Sequence, residues 1–290
     1  MIFGANQLHR AATGTVLSTI GAGTLAAALL TTAPAANANC ASFFGFGNSA
    51  SCTSTPLSIA IAIGAGATAH ADGLFGTAFA LGTSAQASTA IDGLFNIAAS
   101  IGNTNQTRAR GIASLAVAAG TGGNVYAGET ASDILNVAVS LANHTTGNTT
   151  EAIGLGNLAV TLGGDGVVVA AGTGNTALFA GGTNSTNEAV GTFNLATSIN
   201  SDNSVVYAET SAAGPVTASW VFNISGHGNA VQAASGPLAI AGTFFRSNLT
   251  VKQTGPGINV NGTKVGGAAA TPAAAAHATS ARSKASSHRN

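Results

Sequence analysis

Residues 58–64 read SIAIAIG, and variants of this phrase return along the chain. Each copy has a small polar residue, an aliphatic residue and an alanine, then alternating apolar and small residues and usually a closing glycine. The eight copies read SIAIAIG, GTAFALG, NIAASIG, SLAVAAG, NVAVSLA, NLAVTLG, NTALFAG and NLATSIN. Their central alanines lie 18 to 22 residues apart: Ala60, Ala78, Ala98, Ala116, Ala138, Ala159, Ala177 and Ala196. Self-similarity at this period is typical of a solenoid, whose coils bury their apolar side only by stacking.

Two columns of glycine bracket each copy and predict the corners of a coil. Taking the central alanine as position 0, glycine recurs at −5 from the second copy onward, where Asp133 is the one substitute, and at +4 in most copies. Glycine adopts positive φ without a steric penalty, so both columns indicate tight turns, with one strand between them. A second short alternating stretch, such as ATAHA from Ala67, follows the +4 corner and predicts a second strand in each coil.

Side chains within the first strand alternate in size. Positions −1, +1 and +3 mostly hold large residues, as in Ile59, Ile61 and Ile63, whereas positions 0 and +2 hold Ala, Ser or Thr in most copies. Since strand side chains alternate between faces, one face is aliphatic and the other almost smooth. We expect the aliphatic face to point inward and the eight central alanines to form a flat outer face, the candidate interaction face.

A polar column stands at position −2. Its asparagines can form an Asn ladder between stacked coils, which are spaced by about 4.8 Å. The other interpretation is a row of amides that binds glycans. The residues concerned are Asn96, Asn136, Asn157, Asn175 and Asn194.

The first 38 residues have the features of a cleaved signal peptide. His9 and Arg10 supply a modest positive charge, residues 15–30 are apolar, and Ala36-Asn37-Ala38 matches a small-x-small cleavage pattern. The alternative is an uncleaved membrane anchor, although the apolar stretch is shorter than the roughly 20 residues of a spanning helix.

The expected export indicates how the two cysteines are used. Cys40 and Cys52 are the only pair, and an oxidising compartment favours a disulfide between them. A metal site or redox pair is the competing interpretation, but the CxxC spacing is missing. We expect the disulfide to form an N-terminal cap, with Phe43, Phe44 and Phe46 covering the open end of the solenoid.

These patterns together predict an all-β fold, a β-solenoid in the form of a flattened β-roll or β-helix with about 8–10 coils. The low-complexity C-terminal segment predicts a disordered tail. The expected divisions are a signal peptide (1–38), a disulfide-bonded cap (39–56), solenoid repeats (57–242), a C-terminal cap (243–265) and the tail (266–290).

Composition excludes several function classes. Only 6% of the 290 residues are charged and the formal net charge is zero, so we expect no nucleic-acid partner. We also expect no transmembrane segment after signal cleavage. The tail residues Arg282, Lys284 and Arg289 are too few to establish an anchor on the cell envelope.

The phrases SIAIAIGAGATAHADG and GTAFALGTSAQAS are similar to the head repeats of trimeric autotransporter adhesins of the YadA type. That resemblance implies a left-handed β-roll and an adhesin-like role. The coils here are longer, and a stalk and membrane barrel of that family are not present in the sequence. The signal, the cysteine pair and the Ala/Gly/Asn coils resemble exported Ala/Gly-rich repeat proteins of mycobacteria, which implies a compartment and an architecture rather than an activity.

The sequence carries few candidates for chemistry. HExxH, GxSxG, Walker and CxxC motifs are missing, and the aspartate repetition of a calcium-binding roll is not met around Asp165, so we expect neither metal nor cofactor. Asp72, Asp92 and Arg110 occupy one column of successive coils. They suggest an ion pair or, alternatively, the carboxylates of a carbohydrate-active enzyme.

The leading hypothesis is therefore a secreted or cell-envelope structural or interaction protein with an adhesin-like role, which acts through the flat Ala/Ser/Thr face and is not an enzyme. The expected partners are other copies of the chain or an envelope or host surface. The alternative is a carbohydrate-active β-helix enzyme on envelope polysaccharide, and a third hypothesis is binding of ice or another ordered surface.

Overall fold

The computed structural model describes residues 39–143, 149–163, 166–181, 185–200, 202–209, 216–234 and 236–266. The expected signal peptide and all but the first residue of the expected tail lie outside these ranges. Side-chain facts for residues 142, 143, 185 and 216 are likewise outside the description.

The described residues form strands and contain no helix. The strands are β1 (Cys40–Phe43), β2 (Phe46–Gly47), β3 (Cys52–Ser54), β4 (Ile59–Ile63), β5 (Thr68–Ala71), β6 (Thr77–Leu81), β7 (Gln86–Thr89), β8 (Ile97–Asn103), β9 (Gln106–Ala109), β10 (Leu115–Thr121), β11 (Asn124–Ala127), β12 (Val137–Asn143), β13 (Thr149–Leu155), β14 (Leu158–Leu162), β15 (Gly166–Thr173), β16 (Thr176–Ala180), β17 (Ser185–Thr192), β18 (Leu195–Ile199), β19 (Val205–Glu209), β20 (Val216–Thr217), β21 (Trp220–Ile224), β22 (Ala230–Ala234), β23 (Gly236–Pro237), β24 (Ala239–Phe244), β25 (Thr250–Thr254), β26 (Gly257–Val260) and β27 (Thr263–Val265).

Two long sheets face each other along the described part of the chain. The first sheet has 14 strands in the order β2-β1-β4-β6-β8-β10-β12-β14-β16-β18-β21-β24-β26-β27. The second has 13 strands, of which eleven run in the order β25-β22-β19-β17-β15-β13-β11-β9-β7-β5-β3, while β20 and β23 pair beside β17. Since successive strands of the chain alternate between the sheets, each coil contributes one strand to each. The fold is a β-solenoid of about 10 turns, as the repeat predicts.

The register follows the repeat. Ala60 pairs with Ala78, Ala116 with Ala138 and Ala159 with Ala177, all in parallel ladders. The positions counted from the central alanine are therefore true columns of the first sheet, so a residue type that recurs at one position forms a continuous line on the structure.

The predicted orientation of the first sheet is wrong. All eight central alanines are buried, with at most 1% of their surface exposed, and the large residues at −1, +1 and +3 point outward. The interior is too narrow for two layers of aliphatic side chains. The hydroxyls of Thr150 on β13 and Thr161 on β14, two short side chains from opposite sheets, hydrogen-bond across it at 2.9 Å. Alanine, valine, serine and threonine fill this space, and Phe179 is the one aromatic side chain fully buried among the described residues.

The glycine corners explain why the coil is so tight. Gly64, Gly82 and Gly102 have φ between +115° and +127°, and a Cβ on Gly64 would lie 2.1 Å from the carbonyl oxygen of Gly82. Only glycine lets neighbouring coils approach this closely at that corner. The glycine corners therefore limit the width of the coil, and only small side chains fit between its two strands.

Antiparallel strands close both ends of the first sheet. Strand β1 pairs antiparallel with β4, and Cys40 on β1 forms the expected disulfide with Cys52 on β3, with a Cα–Cα distance of 5.6 Å. The disulfide thus links the two sheets at the N-terminal end. The expected covering role is wrong for Phe44 and Phe46, which are exposed, whereas Phe43 is half-buried at the end of β1, whose other residues are buried. At the other end, parallel stacking continues past Gly242 to β26, on which β27 folds back antiparallel.

Candidate functional site

The most distinctive surface of the molecule is the outer side of the first sheet, which we call the aliphatic face. It consists of the side chains at −1, +1 and +3 on the eleven strands from β4 to β26. Many are large apolar side chains with more than a third of their surface exposed: Leu81, Ile97, Ile101, Leu141, Leu158, Leu162, Ile199, Trp220, Phe244 and Ile258. The repeat aligns them in continuous columns, so the exposed apolar area is contiguous.

The aliphatic face carries no charged side chain at these three positions on the described strands β4 to β26. Its polar members are the threonines Thr77, Thr176 and Thr197. In this part of the solenoid, the charged residues on described strands lie on the second sheet. They include Arg108, Glu151, Glu188, Glu209 and Lys252. The solenoid is therefore amphipathic across its thickness.

A ridge of bulky residues borders the aliphatic face at position −3. Phe75, Phe95, Leu135, Phe193 and Leu238 all have φ between +54° and +59° and are exposed. Positive φ is unusual for bulky side chains and costs roughly 1–2 kcal/mol per residue. Phe75 and Phe95 stack in parallel with ring centroids 4.8 Å apart, so the ridge follows the coil spacing.

Three aromatic rings form a cluster near the C-terminal end of the aliphatic face. The ring of Phe222 lies 4.9 Å from that of Trp220 and 4.6 Å from that of Phe244. Phe222 is buried although it points outward, because Trp220 and Phe244 flank it and it lies over Gly242, where a Cβ would meet its ring. Two large aromatic side chains remain exposed on either side of it.

The asparagine column lies inside the solenoid and is fully buried. The side-chain oxygens of Asn136, Asn157 and Asn175 accept hydrogen bonds from the backbone N–H of Asn157, Asn175 and Asn194 at 2.8–3.1 Å. Asn96 and Asn194 likewise accept from the backbone of Ser114 and Ser219. The Nδ2 groups of Asn96, Asn136, Asn157 and Asn175 donate to glycine carbonyls of the neighbouring coil at 2.6–2.8 Å. The ladder therefore binds one coil to the next, and its burial leaves these amides unavailable to a glycan.

The outer side of the second sheet carries one column of chemically diverse residues. Its register aligns Arg108, Tyr126, Glu151, Val169, Glu188, Tyr207 and Gln232. Desolvation raises the pKa of Glu188 to about 7, and the nearby charges of Glu209 and Glu151 act in the same direction. Burial and the nearby charges of Glu188 and Glu209 raise the pKa of Tyr207 to about 12. The Glu188 carboxyl, with its pKa of about 7, exchanges protons near neutral pH.

The column of Asp72, Asp92 and Arg110 contains the expected ion pair. An Arg110 Nη2 atom lies 2.5 Å from Asp92 Oδ2, and Nη1 donates to the carbonyl of Glu129. The hydrogen bond from Arg110 lowers the pKa of the Asp92 carboxyl. The pair is exposed, so it contributes little to stability. No bond between Asp72 and this pair is seen.

Two general searches concern the described residues only. They contain no group of three or more His, Cys, Asp or Glu side chains placed to hold a metal ion. Within the same ranges no helix has the length and hydropathy required to cross a bilayer.

Comparison with known proteins gives no match among protein-family models, curated proteins or solved structures. The candidate surface is therefore judged on its own geometry.

Sequence reasoning located the columns but assigned the wrong one to the surface. The sequence did contain a signal for the correct orientation. Asn at −2 and Ala at 0 and +2 are alternate residues of one strand, so their side chains must point to the same side. A buried Asn ladder therefore requires the alanines to be buried as well. The ridge had a signal too, since Phe or Leu precedes the central alanine by three residues in GLFG, GLFN and GTFN.

Proposed function

We propose that this protein is an exported, non-catalytic structural protein that acts by contact through its aliphatic face. The observation that carries the proposal is an uncharged apolar surface extending over eleven strands. It replaces the alanine face, which is buried, as the contact surface.

The size of this surface supports a contact role. Five residues at about 3.3 Å each and ten spacings of about 4.8 Å give a face of roughly 16 by 48 Å, or about 800 Å². Soluble monomers rarely expose contiguous apolar patches larger than a few hundred Å², and larger patches mark interaction sites. The fold does not need these large side chains for its interior, which small residues fill.

The positive φ of the ridge residues points in the same direction. Bulky apolar side chains in this conformation cost free energy and gain little burial within the chain. Such outliers cluster at functional positions. Phe95 and Leu135 extend the apolar surface to the edge of the coil, where a contacting molecule can cover them.

Export is supported by the disulfide, since disulfides persist mainly in oxidising compartments. The resemblance to YadA-type head repeats also favours a contact role at a cell surface. The carbohydrate-active alternative loses part of its basis, because the carboxylate of Asp92 is engaged by Arg110.

The test compares two valines that have the same exposure class but lie on opposite faces. Val139 is half-buried on the aliphatic face, and Val169 is half-buried on the outer side of the second sheet. In the cells that produce the protein, we expect chemical cross-linking to join the unmodified protein and Val169→Lys to a partner molecule, and to leave Val139→Lys largely as single chains. Equal cross-linking of both variants and the unmodified protein contradicts the proposal, once circular dichroism and thermal unfolding show that both variants fold.

A further inference from the structure

We infer that the partner of the aliphatic face is a second copy of this chain, packed face to face with the two solenoids running in opposite directions. This inference rests on the proposed function and names the partner of the same surface. Four features of the structure support it.

The area of the face matches what a stable dimer requires. A specific interface of standard size buries about 800 Å² on each partner. The aliphatic face offers roughly that area from the strand dimensions alone. Two such faces packed together form a β-sandwich with the sheets about 10 Å apart.

The ends of the solenoid are blunted, which directs association to the face. The first sheet ends in the short strands β2 and β27, and both join the stack antiparallel rather than by the parallel ladder of the coils. The second sheet ends in β3, of three residues, and in β25, which carries Lys252. Short edge strands and edge lysines oppose strand addition. Growth of a fibre by end-to-end stacking is therefore disfavoured.

The absence of charge from the face suits a symmetric contact. In a two-fold interface, each copy presents the same patch to the other. Charged side chains near the axis would meet their own copies, whereas Val160 and Leu178 near the middle of the face meet each other. In the resulting dimer, the charged outer sides of both second sheets remain in water.

The uneven size of the side chains across the face favours two copies that run in opposite directions. The largest side chains of the face are those of the aromatic cluster on β21 and β24. Small side chains stand at Ala99 on β8 and Ala119 on β10, which we call the low region of the face. A two-fold axis that crosses the stack between β14 and β16 places β21 and β24 over β10 and β8 of the second copy. An axis parallel to the strands keeps every side chain at its own position in the strand. The ring of Phe244 therefore lies opposite Ile101 of the second copy and next to the small side chain of Ala119.

Copies that run in the same direction pack poorly. They oppose the aromatic cluster to itself, which separates the sheets at that end and leaves a gap over Ala99 and Ala119. Protein interfaces are packed as closely as protein interiors, so such a gap costs contact energy. A ring of three copies about a three-fold axis also places equal coils at equal heights and has the same defect.

The experiment uses the exported chain from residue 39 onward, with its disulfide, in two measurements. Light scattering across a dilution series is expected to show twice the mass of one chain. Pulsed EPR then measures the distance between nitroxide labels on the two copies, with one label per chain on the polar side. The sites are Gln86→Cys on β7, near the N-terminal end, and Val169→Cys on β15, near the middle.

Opposite directions predict that the Gln86 labels are about 20 Å farther apart than the Val169 labels. This follows because the Gln86 labels are also displaced along the stack by about nine coil spacings of 4.8 Å. Nearly equal distances at the two sites overturn the antiparallel arrangement. A strict monomer, or a mass of three chains, overturns the inference as a whole.

A matched pair of variants tests the low region directly. We expect Ala119→Trp to raise the dissociation constant at least tenfold, because the added ring occupies the space that the second copy's aromatic cluster needs. Ala171→Trp, on the outer side of the second sheet, is the control and is expected to leave dimerisation unchanged. Unchanged dimerisation of Ala119→Trp contradicts the antiparallel arrangement. If the purified protein is monomeric while Val139→Lys still loses its cross-linked partner in cells, only the inference fails. If the purified protein dimerises but cross-linking in cells is the same for Val139→Lys, only the proposed function fails.

Discussion

At the scale of single residues, the buried asparagines contribute most to the specificity of the stack. Asn157 accepts from the backbone of Asn175 and donates to the carbonyls of Ile153 and Gly172. Each bond satisfies a backbone group that faces the dry interior at a corner. An unpaired buried polar group costs about 1–3 kcal/mol, so the column stabilises each corner against water and against misregistered coils.

Replacing one member of this column tests its role. We expect Asn157→Ala to lower the free energy of unfolding by about 2–4 kcal/mol, because it leaves a backbone N–H and a glycine carbonyl without their side-chain partner. Asn124→Ala, on the outer side of β11, is the control and is expected to change stability by less than about 0.5 kcal/mol. Urea unfolding followed by circular dichroism measures both. Equal effects of the two substitutions contradict the ladder.

Glu188 predicts a pH dependence. The unfolded carboxyl ionises near pH 4.5 and the folded one near 7, so the folded state binds this proton more tightly. Its contribution to stability is therefore full below pH 4.5 and is lost as the pH rises to about 7. We expect Glu188→Gln to be neutral at pH 4.5 and to stabilise the protein by roughly 2–3 kcal/mol at pH 8. Thermal unfolding at the two pH values measures this, and Glu129→Gln at a corner serves as the control; a benefit that does not change with pH contradicts the shifted pKa.

At the scale of the coil, neighbouring strands and the opposite sheet limit the volume of every inward-pointing side chain. Ala138 lies between Ala116 and Ala159 in adjacent strands, and the second sheet closes the space opposite. Val139, the next residue, points outward and has room. The alternation of the strand thus separates a position that tolerates no added volume from one that does.

Two substitutions of neighbouring residues test the corrected orientation. Ala138→Leu is expected to destabilise the protein by about 1–3 kcal/mol, since overpacking a closed interior forces the backbone or side chains to shift. Val139→Leu adds one methylene on the outside and is expected to have little effect. Chemical unfolding compares them. If Val139→Leu proves the more damaging of the two, the alanines are not the interior column.

The disulfide acts on the N-terminal end of the stack. Because Cys40 and Cys52 join the first and second sheets there, removing the link frees the end coil. A loop of this size contributes about 3 kcal/mol in the chain-entropy model. We expect the double variant Cys40→Ala/Cys52→Ala to exchange the amides of β1 and β4 at least tenfold faster, with β16 unchanged. Reduction of the unmodified protein should reproduce this pattern, and uniform acceleration along the stack contradicts a local cap.

At the scale of the whole molecule, the solenoid is a slab with one apolar side, one polar side and two blunted ends. Its stability comes from repeated contacts between neighbouring coils. The large aliphatic side chains form the surface through which the slab can contact another molecule. Association through such a surface is driven by removal of apolar area from water.

This driving force predicts how solution conditions affect the dimer. We expect sodium sulfate to tighten dimerisation, because excluded salts strengthen apolar burial. Sodium chloride between 50 and 300 mM, concentrations we choose for the test, is expected to change it by less than about twofold, because the face carries no charge to screen. Analytical ultracentrifugation measures both series. Strong weakening by sodium chloride contradicts an apolar interface.

The sequence by itself determined the columns, because a side chain's position in a stacked coil depends only on its place in the repeat. The corners, the strand between them, the disulfide and the Asp92–Arg110 pair could all be predicted in this way. The tertiary structure decided which side of the first sheet faces in. That choice depends on the distance between the sheets, which the glycine corners and the second strand of each coil set together. At such a distance only the small residues fit, and the aliphatic residues that hydrophobicity alone would bury are left on the surface.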